Sequence, residues 1–534
     1  MRFKLPLMAA VLAAFSSVRA EPPARHFDGN SWWAHVKVLA DDNMEGRQTG
    51  SDGLRRAEAY VVDQLKRSGL EPAGEGGGFY QRVPFVQRQI DESQCAAALV
   101  HDGVATPLEL GGDAFFGRNF DADAGEVSAP LVFIGNGLRV PEAGLDDLAG
   151  IDVKGKVVVY LAGSPTAVSA ALTGHYGSIG ERWKMLRAAG AIGMIAIPNP
   201  VAMDIPWIRM SANRTAVSME LDDPAFDETA GLKVSLTFNP AQAEKLFAGS
   251  GHTFREIAIL GKDRAVLPHF PLAVALQAHA TVHESKLEAN NVIARLPGAD
   301  PKLRDELVVM SAHIDHLGIG APINGDKIYN GAMDNGSGSA MLLDVAMSLK
   351  GTGEKLRRSL LVVFVCAEEK GLLGSKFFAT RPTVPARAMV ADINTDMFQP
   401  IAPGKTLIVK GLAESDLGER VVAAATAWGV EAIADPEPLR NSFVRSDQYS
   451  FIRQGIPSIN FGYGAVPGTP EAKVYKDWLT ERYHAPSDDL NQPVDLAAAA
   501  SYEEIMRAVV LAIANADARP QWKSDSFFRR YATK

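Results

Sequence analysis

Several histidine and carboxylate side chains stand at the ends of strand-like runs, and their types suit a metal site. His313 and Asp315 follow the apolar run Leu307-Val308-Val309-Met310. Asp334 lies in the glycine-rich turn Asp334-Asn335-Gly336-Ser337-Gly338, ahead of the helical run Met341-Leu342-Leu343. Glu368 and Glu369 follow residues 360–365, which are apolar at every position. Asp396 closes the run 390–396, and His484 falls in the loop 482–489 after an aromatic-rich segment. Strands that are apolar throughout are buried on both faces, and open α/β sheets gather ligands at their carboxyl ends.

Taken singly these residues are ambiguous. A lone histidine at a strand end serves structure more often than ligation, and Asp334 alone reads equally well as an Asx-turn or a helix cap. The Glu368-Glu369 pair is harder to explain without a cation, because adjacent carboxylates repel. Together, two histidines and three carboxylates (His313, Asp334, Glu369, Asp396 and His484) match a site for two divalent cations, in which one carboxylate must bridge. Charge supports this. Two divalent ions are balanced by Asp334, Glu369, Asp396 and one hydroxide, which leaves Glu368 as a general base for an acidified water. Asp315, two residues after His313 and on the same side of an extended chain, can fix the imidazole tautomer. Asp392, inside its strand, reads as structural.

The elements that must hold these groups are legible from periodicity. Residues 54–68 form an amphipathic helix with Ala57, Tyr60, Val61 and Leu65 on one face and Gly69 as its stop. A helix is also expected over 31–39, and a strand over 80–87. Short strands then dominate, at 129–134, 155–161 and 191–197, with a helix at 179–189. From Asn291 strands and helices alternate: strand to Ala312, helix 337–349, strand 359–366, helix 371–379, strand 388–394, strands near 406–409 and 457–461, and a last helix over 503–515. Alternation of this kind predicts an α/β fold, a mostly parallel mixed sheet covered on both faces. The expected division is a signal peptide over 1–20, the first part of the main domain over 21–107, an inserted β-rich unit over 108–279, and the remainder over 280–534. The helices of residues 29–70 have too little sheet of their own to fold alone and must pack on the later region.

The chain has 534 residues, 47% hydrophobic and 22% charged, with a net charge of −9. Arg2 and Lys4 precede the apolar run 5–15, and Val18-Arg19-Ala20 offers a cleavage site, so export to the periplasm or medium is expected. An acidic chain is a poor partner for nucleic acid or anionic membranes, and no later run is long enough to span a bilayer. Cys95 and Cys366 can pair in an oxidising compartment, but spacing does not show it, and Cys366 reads as a small buried residue.

The ordered set His313-x-Asp315, Asp334-Asn335-Gly336-Ser337-Gly338, Glu368-Glu369, Asp396 and His484 resembles the co-catalytic dizinc aminopeptidases of metallopeptidase family twenty-eight, relatives of glutamate carboxypeptidase and transferrin receptor. Gly46-Arg47-x-x-Gly50-Ser51, Gly69-Leu70-x-Pro72, Ser446-Asp447 and Gly455-Ile456-Pro457 fit the same pattern. The resemblance implies a zinc-exopeptidase-like fold and two divalent cations, zinc first among them. Asp334 would bridge, His313 and Asp396 would complete one metal, and Glu369 and His484 the other. Glu368 would be the general base, Asp315 would orient His313, and Tyr483 would hydrogen-bond the oxyanion. The substrates implied are peptides with a free N-terminus. Asp152-Val153-Lys154-Gly155-Lys156 and Ala188-Ala189-Gly190-Ala191 give the insert a likeness to a protease-associated domain. Carboxypeptidase or dipeptidase activity is the alternative within the family, with Arg440, Arg445 and Arg453 as candidates for a terminal carboxylate. An inactive binding protein on the same fold is the alternative outside it, and would be expected to have broken ligands.

Overall fold

The computed structural model describes residues 24–117, 120–121, 125–203 and 205–532. The expected signal peptide lies outside the described residues. Two large sheets dominate. The main sheet runs in the order Ser218–Leu221, Tyr80–Ile90, Val282–Leu296, Ser359–Val365, Leu307–His313, Met389–Asn394, Ser458–Tyr463, Thr406–Lys410, Glu431–Ala434. Its four central strands, Ser359–Val365, Leu307–His313, Met389–Asn394 and Ser458–Tyr463, are mutually parallel. The flanking pairs, Val282–Leu296 on one side and Thr406–Lys410 on the other, meet them antiparallel. The expected α/β class therefore holds, and the four parallel strands aim their carboxyl ends the same way.

Helices cover both faces. Asn30–Leu39, Asp52–Ser68, Gly338–Gly351 and Leu496–Ala514 share one apolar core with the sheet, joining Trp32, Val61, Leu342 and Tyr502 to Val308, Val362 and Ile459. The two N-terminal helices thus share a core with strands and helices that lie more than two hundred residues later in the chain. Helix Asp52–Ser68 starts where the Ser51 side chain accepts from the Leu54 amide and stops at Gly69 in the left-handed region. The last helix begins at Leu496, earlier than 503, because Asp495 caps it by accepting from the Ala498 amide.

The second sheet has its own core and runs Val104–Pro107, Ala96–His101, His269–His279, Val127–Ile134, Val157–Leu161, Gly193–Ile197, Val234–Phe238, Ala114–Phe116. It starts at Ala96, ahead of the expected boundary at 108, because the strand pair Ala96–His101 and Val104–Pro107 hydrogen-bonds to His269–His279 and to itself. Ser218–Leu221 returns to pair with Tyr80–Ile90 and edges the main sheet. Cys95 and Cys366 are both free thiols, Cys366 buried. Among the described residues no helix is long and apolar enough to cross a membrane.

One carboxyl sits in this core without a catalytic reason. Glu503 is fully buried, and burial, then the neighbouring Asp344 and Glu504 carboxyls, push it up to about 11. The folded chain holds a proton there that an unfolded glutamate, with a pKa of about 4.3, releases at higher pH, so this residue costs stability increasingly as pH rises above that value. Glu503→Gln is expected to raise the melting temperature at pH 8, with the gain shrinking as the buffer approaches pH 4. A gain of equal size at both pH values would contradict the buried-acid account.

Candidate metal centre

Each candidate side chain follows a strand end or sits on a loop pressed against one. His313 is the last residue of Leu307–His313, fully buried. Asp396 lies two residues past Met389–Asn394, and Glu368 and Glu369 follow Ser359–Val365. Asp334 sits in the turn 332–337 that feeds helix Gly338–Gly351, and His484 follows helix Pro470–Glu481. Parallel strands bring the first three together, and hydrogen bonds bring the turn to them. Asn335 Nδ2 donates to the Thr395 carbonyl at 2.9 Å, and its Oδ1 accepts from the Gly338 amide at 2.9 Å. Ser339 Oγ donates to the His313 carbonyl at 2.9 Å. Gly338 must be glycine: a Cβ there would lie 2.3 Å from Asn335 Oδ1 and 2.6 Å from the Thr395 carbonyl oxygen.

The resulting geometry has a simple form. His313 Nε2 lies 3.4 Å from Asp334 Oδ1 and 3.3 Å from Asp396 Oδ1. His484 Nε2 lies 3.2 Å from Asp334 Oδ2 and 3.3 Å from Glu369 Oε2. Tetrahedral zinc with bonds of about 2.0–2.1 Å has ligand–ligand edges of roughly 3.3–3.4 Å. The two sets of donors have those edges, and they share Asp334, one oxygen to each. The nitrogen and oxygen donors therefore fit two divalent cations side by side. His313, Asp334 and Asp396 form one group of donors close enough to hold an ion.

The local field agrees. Burial alone would push the His313 imidazole down, but Glu368, Asp334 and Asp396 reverse that and hold it well above its usual range. Burial also opposes the shift at His484, where Glu369 and Asp334 raise the imidazole to about 9. Against the cost of burial, the facing imidazoles hold Asp334 well below the carboxylate range, with Glu369 and Asp396 lowered too. Glu368 goes the other way: burial, then the charges of Glu369, Asp396 and Asp447, raise it well above the usual glutamate value. Its carboxylate accepts no hydrogen bond among the described residues. Tyr483 stacks on His484 with ring centroids 3.8 Å apart, and burial followed by Asp334 and Glu369 raises its hydroxyl.

Asp315 departs from the expectation. His313 Nδ1 meets the Asp315 backbone carbonyl at 3.1 Å, while Asp315 Oδ1 is 4.0 Å away. The carboxylate is committed elsewhere, accepting from Thr49 Oγ1 and from the Glu368 amide, both at 3.1 Å. Asp315 therefore braces the Glu368 backbone, and its main chain sets the His313 ring. Arg453, a candidate for a terminal carboxylate, is spent on Glu181 at 3.0 Å and packs over Tyr449 and Tyr531.

Three further residues have roles at the site that the motifs did not state. His316, in the same His-Ile-Asp-His stretch, places Nδ1 2.8 Å from Glu369 Oε1, so Glu369 has one imidazole on each oxygen. Asp488 accepts from the Met333 and Asp334 amides at 3.0 Å, fastening the Asp334 turn to the His484 loop. Arg47 is fully buried and gives its guanidinium to the carbonyls of Leu39, Ile314, Asn330 and Gly331, at 2.5–2.9 Å. Burial draws Arg47 down to about 10, against Asp488, Asp315, Asp334 and Glu369, so it stays a cation at neutral pH. Spacing offered a signal only for His316, because backbone carbonyls have no sequence signature.

Fold and donor set define a zinc-exopeptidase-like α/β chain with histidine and carboxylate groups placed close enough to hold a metal ion. Residues 291–510 match the sequence model of Peptidase family M28. It is 33% identical over 115 residues to leupeptin-inactivating enzyme 1 of Streptomyces exfoliatus, covering 21% of this chain and 24% of that one. It is 27% identical over 212 residues to aminopeptidase YwaD of Bacillus subtilis, covering 38% and 42% of the two. The chain thus spans less than half the length of these curated relatives. An aminopeptidase structure from Aneurinibacillus sp. strain AM-1 superposes with a TM-score of 0.56 at 18% identity, over 91% of this chain and 94% of that one, a likeness of fold.

Outer partners of metal ligands typically account for 10–100-fold in metal affinity. His316→Ala is expected to weaken zinc binding by about that factor, read by competition with a chromogenic chelator. Unchanged affinity would remove His316 from the site. Arg47→Met leaves four buried carbonyls without a donor and the acidic cluster without its fixed cation, and should cost at least ~3 kcal/mol in chemical unfolding.

Proposed function

We propose that this chain is an exported aminopeptidase that holds two divalent cations, most simply zinc, on His313, Asp334, Asp396, Glu369 and His484, with Asp334 shared. The observation that carries this reading is the placement of the two Asp334 oxygens, each 3.2–3.4 Å from a different imidazole and each imidazole also facing a second carboxylate. Cations bound there would polarise a peptide carbonyl and acidify water. Glu368 takes the proton from the attacking water and returns it to the leaving amine, a task that suits a carboxylate with no competing hydrogen bond. Asp315 holds the Glu368 backbone in place through its amide. Tyr483, fixed by its stack on His484, donates its hydroxyl to the developing oxyanion.

A relative named above supports the substrate class: YwaD is an aminopeptidase by name. The unbroken donor set argues against a binding protein without activity. The sheet of residues 96–279 is read as a protease-associated domain inserted between the two parts of the peptidase domain, and the basic, apolar N-terminus as an export signal.

Glu368→Gln is expected to keep zinc at the wild-type stoichiometry and lose turnover of aminoacyl anilides by about 10²–10⁴-fold, the usual worth of a general base. Wild-type turnover should stop with a chelator and fail on N-acetylated substrates. Cleavage of the acetylated series would overturn the requirement for a free amine.

A further inference from the structure

Lys410 ends the strand Thr406–Lys410, on the far side of Ser458–Tyr463 from the Asp396 strand. That strand turns Leu407 and Val409 into the main core and Lys410 to the opposite face. In the antiparallel register Lys410 stands across from Asn460, and Asn460 stands across from Asn394 on the next strand, two residues before Asp396. Residues directly opposite share a face, so the three form a row that leads to the Asp396 side of the metal centre.

The row is incompletely satisfied. Asn394 spends its amide on Ser446 Oγ at 2.9 Å and Gln448 Oε1 at 2.6 Å. Asn460 is fully buried, and neither its Nδ2 nor its Oδ1 has a partner. Lys410 is half-buried, yet its ammonium has no hydrogen bond or ion pair among the described residues. A lysine of this kind ordinarily reaches water or a carboxylate. Burial draws the Lys410 ammonium down, Asp396 and Asp435 favour its charged form, and Arg445 and Arg440 oppose it. The chain bends immediately after Lys410 at Gly411, which lies in the left-handed region, where a Cβ would come within 2.4 Å of the Phe443 ring. That contact brings the 441–446 segment, with Arg445, beside the lysine.

We propose that Lys410 receives a carboxylate of the substrate next to the metal centre. The carboxylate is either the acidic side chain of the residue released or the free C-terminus of a dipeptide. This inference rests on the aminopeptidase reading and narrows it to acidic or dipeptide substrates. A charge-assisted bond from the ammonium, of about 2.7–2.9 Å, satisfies both partners in a site shielded from water. A neutral isostere leaves the lysine unpaired, so discrimination comes from the empty place as well as the filled one.

The test uses the zinc-loaded full chain and two matched pairs: glutamyl against glutaminyl anilide, and leucyl-glycine against leucyl-glycinamide. Wild type is expected to favour the charged member of one pair by about tenfold or more in kcat/KM, the worth of one hydrogen bond to a charged group. The pair that shows the preference identifies the source of the carboxylate. Lys410→Met should bring that ratio to near one, and Lys410→Arg should keep it. Equal rates within both pairs for wild type, or a ratio unchanged in Lys410→Met, would overturn the assignment. If wild type cleaved neither these substrates nor leucyl anilide, the aminopeptidase reading would fall and this one with it.

Discussion

The whole site depends on one electrostatic problem: Asp334, Glu368, Glu369 and Asp396 lie in a space that water scarcely reaches, where carboxylate repulsion is strong. The fold answers by facing them with imidazoles and a buried guanidinium. His313 and His484 each face two of the acids at 3.2–3.4 Å, His316 backs Glu369, and Arg47 lies beneath with a charge that burial does not remove. The asymmetry of this field separates roles. Glu369 is held low by imidazoles on both sides, while Glu368, one residue earlier, is raised by burial and by its acidic neighbours. Adjacent glutamates thus differ in chemistry because they differ in what faces them.

Holding that field still is the work of the backbone. Four parallel strands end at one level, and the loops that leave them are tied to each other more than to their own strands. Asn335 joins the Asp334 turn to the Asp396 loop, Ser339 joins it to His313, and Asp488 joins it to the His484 loop. Arg47 adds the N-terminal segment by taking carbonyls from the stretches around Ile314 and Gly331. The early helices are therefore part of the site's foundation, which explains why a segment near residue 47 has to reach a sheet whose first catalytic strand begins at Leu307.

Much of this was legible in the chain. Runs apolar at every position announced the central strands, and the groups at their ends announced a cation site. The Asp334 turn was readable because glycines at 336 and 338 permit an approach that the structure shows to be tight at Gly338. What periodicity missed was long-range pairing. The strand pair at 96–107 looked like a continuation of the main domain, and only its bonding to His269–His279 reveals where it belongs. The Asp315 carboxylate was assigned to His313 from spacing, but spacing does not show that Thr49 and the Glu368 amide compete for it. The roles of Arg47 and Lys410 were hidden for opposite reasons: one is satisfied wholly by main chain, and the other by nothing among the described residues.

The most direct measurement is the metal content and affinity of wild type and Asp334→Asn after equilibrium dialysis against zinc. A shared aspartate predicts two zinc ions per wild-type chain and weakened binding of both in the variant, because the lost charge belongs to both positions. One ion per wild-type chain, or a variant that loses one ion and binds the other with full affinity, would contradict the account.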